Sequence, residues 1–113
     1  MLLATAALPE DLAVDDAVSV VRVHGELDLA TAAGLRQELL EALLPVPARL
    51  VVDLADCPFL GATAVQLLMS AHLRAQAQGT RLTLRGCRPQ ARWVLRLCCV
   101  DDVLEQEPAQ RDA

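Results

Sequence analysis

The chain has 113 residues and a net charge of −5; it is 54% hydrophobic and 22% charged, but only 2% aromatic. That is the length and apolar content of one folded domain and not of a disordered chain. An acidic surface with almost no rings argues against phosphate-backbone binding, base stacking and anionic membranes, and the absence of lysine excludes Schiff-base and P-loop lysine chemistry.

Ala17 to Gly25 (AVSVVRVHG) alternates and is β-branched, so it reads as a strand. A shorter strand around Leu12 to Val14 precedes it, with Asp15-Asp16 as the turn. Gly25-Glu26-Leu27-Asp28 closes the strand, and Asp28 is a candidate helix N-cap. From Ala30 to Leu44, Leu35, Leu39, Ala42 and Leu43 recur at helical spacing until Pro45 and Pro47 stop the helix. Leu50 to Leu54, polar only at Asp53, reads as a buried central strand. Ala55 to Leu60 is a loop. A helix then runs from Ala64 to Gln78, with Ala64, Leu67, Leu68, Ala71 and Ala75 as its apolar stripe and Gly79 past its end. Arg81 to Arg85 alternates as a half-exposed strand. Pro89 opens a last helix that ends near Cys99, and Val103 and Leu104 add a short edge segment. The tail from 108 to 113 is polar.

The order β-(β)-α-β-α-β-α predicts one α/β domain over residues 1–113, with its core at about 13–107. The sheet is expected to be mixed, mostly parallel and four- to five-stranded, with helices packed against it.

Little in the chain points to catalysis. Cys57, Cys87, Cys98 and Cys99 form no C-x-x-C pair and read as small core hydrophobes in a reducing cytoplasm. His24 and His72 lie outside any metal-ligand spacing, and His72 is expected to be partly exposed. No nucleophile–base pair, metal set or glycine-rich phosphate loop is visible, so neither a cofactor nor an enzyme is expected. Glu26 and Asp28 have no histidine tied to them and read as structural. Asp53 is expected to bond the following loop. Arg88, Arg92 and Arg96 are spaced along one helix face and read as solvated, while Trp93 reads as a partly buried anchor. The start (MLLATAALPED) has no basic n-region, and no stretch reaches the ~20 apolar residues of a membrane span. The expectation is a cytoplasmic protein that binds no nucleic acid and inserts in no membrane.

Several segments together match a known pattern. Val23-His24-Gly25-Glu26-Leu27-Asp28 resembles the G-E-L-D motif of STAS domains, found in bacterial anti-sigma-factor antagonists and sulfate-transporter tails. Leu50-Val51-Val52-Asp53-Leu54 is similar to their "lVvDLs" strand. Phe59-Leu60-Gly61-Ala62-Thr63-Ala64-Val65 falls where they carry F-(I/L)-D-S-S-G-L. Gly79 to Leu84 matches the Gly-x-x-Leu-x-Leu strand, and Val94 to Leu104 the "vLeltGLdrlf" end. The resemblance runs from about Ala13 to Glu107. It implies a regulatory protein that binds an anti-sigma factor of the GHKL kinase type and so frees a sigma factor. It also implies phosphorylation at the second Ser of D-S-S-G, which maps onto Thr63, and reversal by a PP2C-type phosphatase. The face implied for partner binding comprises Gly25, Glu26, Asp28, Phe59, Leu60, Gly61, Ala62, Thr63 and Ala64. The family Asp is Gly61 here, the first Ser is Ala62 and the motif Gly is Ala64. The alternatives are a STAS subunit of an ABC-type lipid transport complex and a constitutive, non-phosphorylated interaction module.

Thr63 has two compatible readings. It is a regulatory acceptor, or it caps a helix as the first residue of a T-x-x-Q capping box closed by Gln66.

Overall fold

The computed structural model describes residues 18–107. Apolar alternation makes β1 (Val18–His24) a strand that turns Val21 and Val23 inward, the outermost on its side among the described residues. β2 (Arg49–Asp56) lies beside it, with Leu50, Val51, Val52 and Leu54 wholly buried, as a near-continuous apolar strand at the centre of a parallel sheet should be. β3 (Arg81–Arg85) and the two-residue β4 (Glu105–Gln106) complete the order β1-β2-β3-β4, in which every pairing is parallel. Helices α1 (Ala32–Leu43), α2 (Ala62–Ala77) and α3 (Pro89–Leu97) supply the crossovers. Leu35, Leu39 and Leu43 of α1 and Ala64, Val65, Leu68 and Ala75 of α2 fill the core with the inward sheet residues. Leucine, valine and alanine, joined by Cys57, build this core, as the scarcity of rings required.

The structure corrects several boundaries. β2 runs on through Ala55 and Asp56, which the sequence placed in a loop. The short edge strand is Glu105–Gln106, and Leu104 is fully buried instead. α2 begins at Ala62, ahead of Ala64. Asp28 does not cap α1, whose N-cap position is Thr31; its Oδ1 accepts from the Ala30 and Thr31 amides and turns the chain one step earlier. Trp93 is 55% exposed and anchors nothing in the core. Only Cys57 is a buried cysteine, while Cys98 and Cys99 are exposed. Arg88, Arg92 and Arg96 are exposed, as expected of a solvated face, and Arg88 also donates to the Ala55 carbonyl and Arg92 to that of Cys87. His72 is half-buried. Asp53 bonds the Ala55 amide as expected and also lies between Arg22 and Arg85, at 3.7 and 3.5 Å. The expected strand at Leu12 to Val14 and the tail at 108–113 lie outside the described residues.

Gly86, which closes β3, combines a φ of +71° with a tight approach: a Cβ there would sit 2.9 Å from the Ala55 Cβ. Gly79 has a similar φ of +83° but open space around it. Gly86→Ala is therefore expected to cost more than the ~1–2 kcal/mol of left-handed backbone strain that Gly79→Ala incurs. Urea unfolding of the two variants checks the ranking.

Candidate functional site

The site is built where β1 and β2 end side by side. Beyond His24 and Asp56 the two chains do not part. The Gly25 amide donates to the Asp56 carbonyl at 3.1 Å. The Leu27 amide then donates to the Phe59 carbonyl at 2.8 Å, and the Gly61 amide to the Leu27 carbonyl at 2.8 Å. Leu27 and Leu60 thus form one more parallel bridge past the sheet. Both side chains are buried, which keeps the joint dry and its hydrogen bonds unchallenged by water.

A third element locks the joint from the opposite side. The Gln90 side-chain amide on α3 accepts from the Leu60 N–H at 2.8 Å and donates to the Leu60 carbonyl at 3.1 Å. One glutamine thus satisfies both backbone groups of a buried residue, as a neighbouring strand would. The Cys57 thiol also donates to the Phe59 carbonyl at 3.1 Å. Burial pushes this thiol's pKa up, and the nearby backbone bonds and Arg88 only partly offset that. Cys87, also desolvated, is pushed up to about 11. Neither thiol is set up as a nucleophile.

The chain leaves the joint at Gly61 and enters α2 directly. Gly61 is the N-cap residue, in extended conformation and with no capping side chain. A Cβ at this position would lie 3.2 Å from the Leu27 carbonyl oxygen and 3.4 Å from the Phe59 ring. A side chain here would therefore need the Leu27 carbonyl or the Phe59 ring to give by a few tenths of an ångström. Thr63 falls inside the first turn of α2, so it is not the N-cap, and the expected capping box with Gln66 does not form. Thr63 is exposed, and its hydroxyl makes no hydrogen bond among the described residues. The amides of Ala62, Thr63 and Ala64 are those a helix leaves without an intrahelical acceptor.

The residues picked out in the sequence do converge here, in two layers. Gly25, Glu26, Phe59, Ala62 and Thr63 are exposed, with Asp28 and Gly61 half-buried. Leu60 and Ala64 have 0% exposure, so they support the face from beneath and cannot touch a partner with their side chains. Sequence reasoning missed Gln90 and the structural thiol of Cys57. Both sit in unremarkable contexts, and Gln90 acts across thirty positions of chain. Among the described residues no group of three or more His, Cys, Asp and Glu could hold a metal ion, and no helix is long and apolar enough to cross a membrane.

The family model described as "Mlab, STAS domain" matches residues 11–105, and the chain belongs to the STAS-domain family. Anti-sigma-F factor antagonist RsfB of Mycobacterium tuberculosis is 39% identical over 51 residues, which span 45% of this chain and 42% of that protein. The aligned stretch is thus less than half of the relative's length. A crystal structure of an anti-sigma factor antagonist from Mycobacterium paratuberculosis matches with a TM-score of 0.75 at 29% identity, over 83% of this chain and 80% of that one. A sulfate transporter family protein from Wolinella succinogenes matches with a TM-score of 0.69 at 18% identity, over 79% and 72% of the two chains, and shares the fold.

Two predictions follow from the joint. Gln90→Ala strands both backbone groups of buried Leu60 and is expected to destabilise by ~1–3 kcal/mol in chemical denaturation, more than a surface substitution would. In a timed thiol titration of the native protein with an aromatic disulfide at neutral pH, exposed Cys98 and Cys99 react first. Cys87 and Cys57 react only slowly until denaturant is added.

Proposed function

We propose that the protein is a non-enzymatic anti-sigma-factor antagonist, with the N-terminus of α2 as its partner-binding face and Thr63 as its switch. The observation that carries this reading is the Thr63 hydroxyl. It is exposed and bonded to nothing among the described residues, on a helix end braced by three separate elements. A residue serving only as a cap would use its hydroxyl. The likeness to the mycobacterial antagonists supports the same class of partner.

The physics of the switch is local. A phosphate on Thr63 adds roughly −1.5 to −2 of charge and three acceptor oxygens. The unpaired amides and the positive end of the α2 dipole tolerate it within the fold. A partner packed over the same helix end would have to bury that dianion and is expelled. The fitting partner is an anti-sigma factor of the GHKL kinase type, which both binds this face and phosphorylates it, with a PP2C-type phosphatase to reset it in the cytoplasm. With Gly61 and Ala62 in the motif, recognition rests on shape and on exposed Phe59 more than on polar side chains.

A second reading has its own support. The matching family model is described as the Mlab STAS domain, and a face lacking the motif's Asp and first Ser suits stable assembly. In that reading the chain is a STAS subunit of an ABC-type lipid transport complex, or a constitutive module, and Thr63 is never phosphorylated.

Incubation with a GHKL-type anti-sigma factor kinase and ATP, followed by peptide mass spectrometry, separates the two. The proposal expects phosphate on Thr63 and at least about tenfold weaker kinase binding for Thr63→Glu. Absence of phosphate together with unchanged binding would favour the subunit reading. Thr63→Ala is expected to change stability by no more than ~0.5 kcal/mol, because no cap bond is lost, whereas removal of a true cap costs ~1 kcal/mol.

A further inference from the structure

Phe59 and Trp93 are the only aromatic side chains in the sequence, and the core cluster includes neither. They are 42% and 55% exposed. Phe59 precedes buried Leu60 at the joint, and Trp93 lies on α3. Two contacts fix the start of α3 to the segment that carries Phe59. Arg88, the N-cap residue of α3, donates to the Ala55 carbonyl at 2.9 Å, and Gln90 holds both backbone groups of Leu60. Trp93 follows Gln90 by one helical turn. The two rings are therefore carried by elements that cannot separate without breaking these bonds.

Trp93 belongs to a stripe. Pro89, Trp93 and Leu97 stand four residues apart and share one side of α3. All three are exposed, Leu97 by 62%. The core takes the other side of the helix, Ala91 and Leu95. Arg92 and Arg96 run alongside the stripe, exposed and with no carboxylate partner among the described residues. Arg36 and Arg74 on α1 and α2 are unpaired in the same way, so it is the ring and not the charge that sets α3 apart. Asp101 and Asp102 follow the turn at Cys98–Val100, past the end of α3 remote from Gln90.

The size of the partner face says what should cover this stripe. Of the face described above, seven residues reach the surface: Gly25, Glu26, Phe59, Ala62 and Thr63, with half-buried Asp28 and Gly61. A stable protein–protein interface uses roughly 20–30 residues a side. A partner seated there must therefore extend onto neighbouring surface. The β1 side adds one exposed large aliphatic, Leu29. The α3 side adds the stripe, bonded to the joint and carrying tryptophan beside arginine, the residue types that dominate binding energy at interfaces.

We infer that the partner proposed above covers Trp93 as well as Phe59, lying along Pro89, Trp93 and Leu97 with its carboxylates against Arg92 and Arg96. The inference rests on the reading of the start of α2 as the face that binds an anti-sigma factor.

Trp93 is the sole tryptophan, so the chain labelled with 5-fluorotryptophan gives one fluorine resonance, from this ring. The unlabelled probe is the GHKL-type anti-sigma factor kinase used to test Thr63. Its addition should move the resonance saturably and reduce the resonance's H2O–D2O isotope shift, which reports exposure to water. By calorimetry, Trp93→Ala and Phe59→Ala, each checked for unchanged circular dichroism, should bind at least about tenfold more weakly than the parent. Arg92→Glu with Arg96→Glu should also weaken binding, and most at low salt. Weaker binding of Phe59→Ala alone, with the fluorine resonance unmoved, would overturn the inference and leave the α2 face standing. If neither ring matters, or the kinase does not bind, the reading of that face fails and the inference falls with it. A resonance moved by concentrating the chain or by phosphatidylglycerol vesicles, and not by the kinase, would assign the stripe to a second copy or to a membrane and overturn it too.

Discussion

The proposed partner face depends on two backbone hydrogen bonds, from the Leu27 amide to the Phe59 carbonyl and from the Gly61 amide to the Leu27 carbonyl, with the fully buried Leu60 between them. Two loops that leave a parallel sheet would ordinarily diverge and cover their own polar groups with water. Here they stay paired for one further bridge, and α2 starts directly from it. Gln90 seals the remaining backbone groups from α3. The start of α2 is therefore a braced platform and not the end of a mobile loop. In the proposed switch, such a platform would carry the charge of a phosphate on Thr63 without rearranging.

The joint also explains how the chain departs from its family's motif. A side chain at position 61 would crowd the Leu27 carbonyl and the Phe59 ring. Glycine there thus relieves a tight contact as well as removing an acid. With alanine at 62 and glycine at 61, Thr63 is the single polar side chain left at the start of α2, and the exposed ring of Phe59 is its large apolar neighbour.

Much of this was legible in the residues. The valine alternation of β1, the apolar run of β2 and the strict alternation of Arg81 to Arg85 marked three strands of the sheet, because side-chain period is set by burial on one or both faces. The candidate site was legible as a set of segments, through the order of the G-E-L-D and F-L-G-A-T stretches. Its mechanics were not. Thr63 looked like a cap because T-x-x-Q is a good local signal, yet tertiary pairing of Gly61 with Leu27 starts the helix earlier and moves Thr63 into the first turn. Cys98 looked like a core residue and Trp93 like a partly buried anchor from their hydrophobicity, but a single short helix buries only the Ala91–Leu95 side. Gln90 gave no sign at all, since its partner is distant in sequence and the pairing arises only when α3 folds over the joint.

The central claim is that the partner is bound on the platform that this joint holds. Hydrogen–deuterium exchange of the protein, alone and in complex with an anti-sigma factor, the proposed partner, tests that most directly. The account predicts that slowed exchange on binding centres on Gly25–Glu26 and on Phe59–Ala64. Unchanged exchange across Phe59–Ala64 in a saturated complex, with protection gathered elsewhere on the domain, would contradict it.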